Sequence, residues 1–406
     1  MKVCVMWGSK KIEAECNTDE PIENFMKLLE KLTGVPVMRQ KLMMRRNQIK
    51  ITSKWSNFDV KPSSRFMLIG TAENPTVVAD TPDNEEEEGP AENDNGITKG
   101  LKNLGNTCYL NSVLQVFRLI PEIPEALKEE QSATIGPNDV EKKVAKQLSI
   151  FLNNFPTNLN SFVELLRESN SDFKKRDQNN NFVQQDASEC WNYLMKCINH
   201  YVGNKISDLF QIQFETKTKP LGSDDKPVTS IETDDRLRCI IDQNTNKIEQ
   251  GIKTDSEIEK TSPDTGEPTV YTVQKLIKRL PKYLTIQMMR FFYKKEENYT
   301  AKIVRRVEHP FILDVFPWLT QELREKFVKN RELNKIQEAG YYNLKTIITH
   351  QGRSPDSGHY IAFAKVSDQW YKFDDEKVTE VDEEDIQSVN GSGDWHCSYI
   401  LIYEAM

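Results

Sequence analysis

The sequence predicts an α+β chain of two domains joined by a charged linker. Three observations carry this. Short strand patterns surround one helical pattern in residues 1–73. An acidic stretch follows at 74–98. Residues 99–406 then change from helical spacing to strand alternation near Phe210. With 406 residues, 37% of them hydrophobic, the chain can bury more than one core.

KVCVMW and KKIEAEC read as two strands turning at Gly8-Ser9. Thr18 or Asp19 can cap the next helix, with Pro21 near its first turn. Ile22, Phe25, Met26, Leu29 and Leu32 recur at helical spacing, and Gly34 and Pro36 stop the helix. MRQKLMMR and RFMLIG supply further strands. Residues 74–98 contain no lysine or arginine, four consecutive glutamates and three prolines, so they read as a self-repelling, extended linker.

In the large domain, SFVELL and ECWNYLMKCIN carry helical spacing, with Cys190, Leu194 and Cys197 on one face. QIQFETKT, TVYTVQKLIK and YLTIQMMRFFY read as strands. TQELREKFVKNRELNKIQEAG reads as an exposed helical insertion, and residues 341–403 are strand-rich.

A net charge of −8 argues against nucleic acid or an anionic membrane as main partner and suits a basic peptide. No apolar run of membrane-spanning length and no signal-peptide layout is present. Seven scattered cysteines suggest free thiols in the cytosol or nucleus. There is no CxxC pair, so no structural zinc site and no cofactor are expected.

The stretch GLKNLGNTCYLNSVLQ, residues 100–115, places a cysteine where a Gly/Asn loop becomes a helix. Asn106 or Thr107 can cap that helix, Leu110, Val113, Leu114 and Phe117 form its apolar stripe, and Pro121 closes it. In a first turn, free N–H groups and the helix dipole favour a thiolate and can hold an oxyanion. By position alone Cys108 is either that nucleophile or a buried small hydrophobe. Cys190, Cys197, Cys239 and Cys397 lie in apolar patterns and read as core.

A thiolate nucleophile needs a base, usually an oriented histidine. Of five histidines, His359 stands out. Gly358 and a Gly/Ser/Pro loop precede it, and the strand HYIAFAKV begins at it. A second strand, QWYKFDD, follows a turn near Ser367-Asp368. If Val366 and Ser367 are the turn residues, His359 faces Asp374 directly. Moving the turn on by one residue makes them diagonal neighbours on one face. A three-residue turn brings Asp375 opposite instead. His200, His309, His350 and His396 read as satisfied polar residues without catalytic work.

These residues resemble the ubiquitin-specific proteases. GLKNLGNTCYLNSVLQ is similar to their cysteine box, and GHYIAFAK with WYKFDDEKV to their histidine box. VQQDASECW resembles the segment that helps bind the ubiquitin tail, and LPKYLTIQMMRFFY a further strand motif. The resemblance spans residues 99–406. It implies a papain-like thumb, palm and fingers domain. It also implies Cys108 as nucleophile, His359 as base, Asp374 as the group orienting it, and Asn103 as oxyanion donor. Asp186 matches the position that pairs with the basic ubiquitin tail, although it is also placed to cap a helix; Gln185, Gly358 and Tyr360 are further tail-contact candidates.

Residues 1–73 resemble the ubiquitin-like β-grasp, but their tail reads IGTAENP in place of Gly-Gly, which suits docking and not conjugation. With the missing zinc-type pairs, this resembles the proteasome-associated branch. That branch implies a deubiquitinase acting on conjugates at the 26S proteasome regulatory particle and recycling ubiquitin. The alternative from another class is a noncatalytic ubiquitin- and proteasome-binding regulator. Two polar loops, 294–299 and 352–357, are expected to border the cleft as mobile lids.

Overall fold

The computed structural model describes residues 2–69 and 99–406, apart from 8–9, 34, 45–46, 52, 59, 62–63, 131–134, 156–158, 263–265, 295–298, 337–338, 356 and 394. The Gly8-Ser9 turn, the Gly34 stop, the acidic linker and the core of the 294–299 loop therefore lie outside the described residues. The chain divides into two compact units, Met1–Gly89 and Pro90–Met406.

In the first unit, strands β1 (Lys2–Trp7) and β2 (Lys10–Glu15) pair antiparallel. Helix α1 (Ile22–Thr33) follows, then β3 (Lys41–Met44), β4 (Asn47–Ile49) and β5 (Arg65–Ile69). The sheet order is β2-β1-β5-β3-β4, with β5 parallel to β1. Ile22, Phe25, Met26 and Leu29 of α1 are buried with Val5, Leu42, Phe66 and Leu68 of the strands. Leu32, expected on the same apolar face, is 47% exposed. It falls in the last turn, where the helix runs past the sheet core.

The second unit begins with helices α2 (Cys108–Arg118), α3 (Glu122–Glu129), α4 (Val140–Asn154), α5 (Asn160–Ser169) and α6 (Ala187–Val202). The single turn α7 (Ser207–Phe210) leads into β6 (Ile212–Pro220), β7 (Val228–Asp234) and β8 (Leu237–Ile240). The single turn α8 (Ile248–Gly251), β9 (Asp255–Thr261) and β10 (Pro268–Arg279) follow. Then come β11 (Tyr283–Met289), β12 (Phe291–Lys294), β13 (Tyr299–Lys302) and β14 (Ile312–Asp314). Helix α9 (Gln321–Glu332) is the expected charged insertion. The chain continues through β15 (Tyr341–Ser354), β16 (Ser357–Val366), β17 (Gln369–Asp374), β18 (Lys377–Val381), α10 (Glu383–Ser388) and β19 (Cys397–Ala405).

One sheet runs β18-β17-β16-β15-β19-β11-β8 with β14 beside β15; another runs β7-β6-β10-β9. The large sheet is buried on both faces, which explains its near-continuous apolar strands. Ile400 and Ile402 point into the helical core with Leu110, Leu114, Leu148 and Leu194, while Leu401 and Tyr403 point into a second core with Ile286, Ile347 and Trp318. The residues 283–293, expected as one strand, break at Arg290. Its buried guanidinium donates to the carbonyls of Ser398, Ile303, Arg305 and Asn390, so this position turns inward to staple loops. Among the described residues no helix is long and apolar enough to cross a membrane.

Candidate active site

Gly105 and Asn106 both have positive φ, +84° and +56°, and they swing the chain into α2 so that Cys108 is its first residue. Glycine and asparagine are the residues that take this conformation most cheaply. Neither Asn106 nor Thr107 caps the helix by its side chain, as the sequence had suggested. Asn106 Nδ2 instead donates to Phe182 O at 2.8 Å, and Thr107 Oγ1 accepts from Leu104 N at 2.8 Å. The side chain that steadies the turn is Asn103, whose Oδ1 accepts from Thr107 N at 3.2 Å.

Asp375 then fastens this turn to the far end of the chain. Its carboxylate accepts from Asn103 Nδ2 at 2.9 Å and from Asn111 Nδ2 at 2.8 Å, and its carbonyl from Leu101 N at 2.8 Å. Gly100 packs so tightly there that a Cβ would lie 2.1 Å from Glu376 O. One amide hydrogen of Asn103 is thereby committed, which fixes the direction of the side chain expected to donate to an oxyanion. Asn111 carried no sequence signal beyond its place one turn after Cys108.

His359 lies on β16. The β16–β17 register pairs Val366 with Gln369 and Ala362 with Phe373, so the turn is Ser367-Asp368 and Asp374 is the diagonal neighbour of His359. His359 Nε2 meets Asp374 Oδ1 at 2.7 Å, whereas Asp375 Oδ2 is 4.0 Å away. Burial alone would lower the His359 pKa, but hydrogen bonds to Asp374 and Cys108 and their charges lift it up to about 10. The hydrogen bond from His359 holds the Asp374 carboxyl below its ordinary range. Nε2 is held by Asp374, which leaves the other ring nitrogen for the thiol. Gly358, at φ +128°, precedes it where a Cβ would lie 2.0 Å from Gln351 O. Its role is to let β15 and β16 close together behind the imidazole.

Residues 352–357, expected as a free loop, are mostly hairpin: β15 runs to Ser354 and β16 starts at Ser357. The ladder continues because Gly352 and Gly358 absorb the register shift between Gln351 and Ser354. This hairpin reaches the nucleophile through Gln184. Cys108 Sγ donates to Gln184 Oε1 at 3.6 Å, and Gln184 Nε2 donates to Pro355 O at 3.3 Å. Sequence reasoning singled out its neighbour Gln185, which is buried and donates back to Val183 O at 3.0 Å. Consecutive glutamines gave no means of choosing between them.

Asp186 is the N-cap of α6. Its Oδ1 accepts from Ser188 N and Glu189 N at 2.6 and 3.2 Å, and its Oδ2 from Tyr399 Oη at 2.7 Å. Burial raises its pKa despite those donors. The cap half of its expected role is thus filled, and both oxygens are occupied. Tyr360, expected to touch substrate, is 1% exposed and packs its ring 4.5 Å from that of His350. Strand alternation turns it inward when His359 turns outward.

Among the described residues, the donors close enough to share a metal ion are His359, Asp374 and Asp375, and each already has a protein partner. Cys190, Cys197, Cys239 and Cys397 are buried free thiols, and burial raises the pKa of the first three. The arrangement can therefore perform nucleophilic acyl transfer at Cys108 with His359 moving the proton.

The ubiquitin carboxyl-terminal hydrolase family model matches residues 99–403. The chain is 31% identical to ubiquitin carboxyl-terminal hydrolase 6 of Arabidopsis thaliana, covering 99% of this chain and 98% of that protein. It is likewise 31% identical to ubiquitin carboxyl-terminal hydrolase 14 of Caenorhabditis elegans, covering 99% and 93%. The SAGA deubiquitinating module bound to ubiquitin aldehyde shares the fold with TM-score 0.58 at 22% identity, over 76% of this chain and 70% of that one.

Proposed function

Because the chain belongs to the ubiquitin carboxyl-terminal hydrolase family and is a cysteine deubiquitinase, we propose that Cys108, His359 and Asp374 carry the reaction, aided by Asn103. As the sulfur of Cys108 attacks the carbonyl carbon of ubiquitin's last glycine and forms the C–S bond, its proton passes to the free nitrogen of His359. The oxyanion sits between the first N–H groups of α2 and the Asn103 amide. The His359 cation so formed gives its proton to the leaving lysine nitrogen as the C–N bond breaks. The neutral imidazole then takes a proton from water, the hydroxide displaces the sulfur, and free ubiquitin leaves. Asp374 keeps the imidazole oriented throughout.

The observation that carries this reading is the 2.7 Å bond between His359 Nε2 and Asp374 Oδ1, which leaves the other nitrogen for Cys108. The test is reaction with a ubiquitin probe bearing a C-terminal electrophile, followed by mapping of the modified residue. Cys108 should be modified; labelling at Cys190 or Cys397 would sink the assignment.

We further propose that residues 1–73 form a ubiquitin-like module that docks the enzyme on the proteasome, where it recycles ubiquitin from bound conjugates. The strand order β2-β1-β5-β3-β4 packed on one helix supports the ubiquitin-like reading. The cytosol or nucleus is the compartment this reading requires.

A further inference from the structure

His396 read as an inert histidine in the sequence, yet it lies against the reaction centre. It immediately precedes β19, and its ring centre is 6.0 Å from that of His359, with the two planes 70° apart. It is 6% exposed. Its Nδ1 lies 3.1 Å from Thr349 Oγ1, whose own hydroxyl donates to Ile361 O at 3.4 Å. The Oγ1–Nδ1 hydrogen bond holds the orientation of the ring. Trp395, 48% exposed, meets the same ring from outside, its centre 5.9 Å away and its plane nearly perpendicular.

His359 needs such a neighbour. Asp374 holds one nitrogen, and any bond to Cys108 must break during turnover, which leaves a single hydrogen bond as a pivot about which the imidazole can swing away. We propose that His396 is a positioning residue for His359: an uncharged, Thr349-anchored wall that keeps the catalytic imidazole turned toward the thiol. The wall must stay neutral, because a second cation there would repel His359. Burial pushes His396 down to about 3, helped by the charge on His359. The charged or titratable groups around it are His359, Asp374, His350 and Lys302. The inference rests on the reaction centre proposed above.

The test is kcat and KM for hydrolysis of a ubiquitin–fluorophore substrate by the full chain. His396→Ala should lower kcat about tenfold with KM unchanged, since misorientation of a reacting group acts on the chemical step. His396→Phe restores an uncharged ring of similar breadth and should recover most of that loss. Thr349→Val keeps the imidazole but frees it, and should lower kcat about threefold; it decides the matter if His396→Ala does not fold. Full kcat in His396→Ala or Thr349→Val, a matching rise in KM, or a Phe variant no better than Ala overturns the proposal. Cys108→Ala in the same assay reports on the centre itself: turnover surviving there defeats the reaction centre, whereas its loss beside an unimpaired His396→Ala defeats the positioning role alone.

Discussion

Two adjacent aspartates near Cys108 do different work, and their substitution should separate the roles. Asp374 touches the imidazole and Asp375 touches Asn103 and Asn111. Asp374→Asn presents an amide where a carboxylate held Nε2, so kcat for ubiquitin–fluorophore hydrolysis should fall roughly 10²–10⁴-fold, and the stability the pair contributes is lost with it. Asp375→Asn removes the charge from two hydrogen bonds and should cost about 1–3 kcal/mol of unfolding free energy, with a smaller kcat effect. A larger kcat loss in Asp375→Asn would reverse these assignments. The His359–Asp374 pair also predicts a pH signature. His359 is raised from its ordinary 6.5 to about 10, so its stabilisation is complete below pH 6.5 and vanishes as pH rises through about 10. Asp374 is lowered, so its stabilisation is present above the ordinary carboxylate range and is lost on acidification. The difference in Tm between the wild type and Asp374→Asn should therefore shrink between pH 6.5 and 10; a constant difference would refute the pairing.

At the level of the elements, the hairpin β15–β16 sets the position of His359. Gly358→Ala forces a Cβ to within 2.0 Å of Gln351 O at a φ of +128°. It should destabilise by at least about 2 kcal/mol in denaturant titration and depress kcat; an unaltered midpoint would show that the hairpin bends freely. Much of this site could be read from the sequence, and the unread part has a physical cause. The Cys108 junction was visible because Gly/Asn residues with positive φ must precede a helix that enters at a steep angle. The His359–Asp374 pair followed from strand alternation, although only the real turn, Ser367-Asp368, chose the diagonal register. Gln184, Asn111 and His396 were hidden because tertiary packing alone brings them to the centre. Gln184 and His396 bear on it from separate parts of the chain; the segment holding Gln184 was marked, but not which of its two glutamines faces Cys108. The inward turn of Tyr360 was available from the same alternation that pointed His359 outward. The edge strands β7 and β9 escaped notice for another reason: they are exposed along almost their whole length, so no apolar alternation marks them.

For the whole molecule, the two compact units should separate functionally. A chain beginning near Ile97 should hydrolyse ubiquitin–fluorophore as the full chain does, yet fail to co-sediment with proteasomes; equal co-sedimentation would defeat the docking role. The full chain alone should be weakly active. If its closed state is favoured by about 2 kcal/mol, a partner selecting the open state raises the rate roughly 30-fold. Saturating proteasomes whose own deubiquitinase is inactivated should show this gain, and an unchanged rate would exclude gating. The placement of β19 has a consequence for biosynthesis. This strand is translated after its neighbours yet lies in the middle of the large sheet, laddered to β15 on one side and β11 on the other. Until it folds, β15 and β11 lack their shared partner and the helical core lacks Ile400 and Ile402, so His359 stands on a strand whose support is missing. A chain lacking residues 397–405 should therefore show no ubiquitin–fluorophore turnover, and the site is complete only once these residues have joined the sheet.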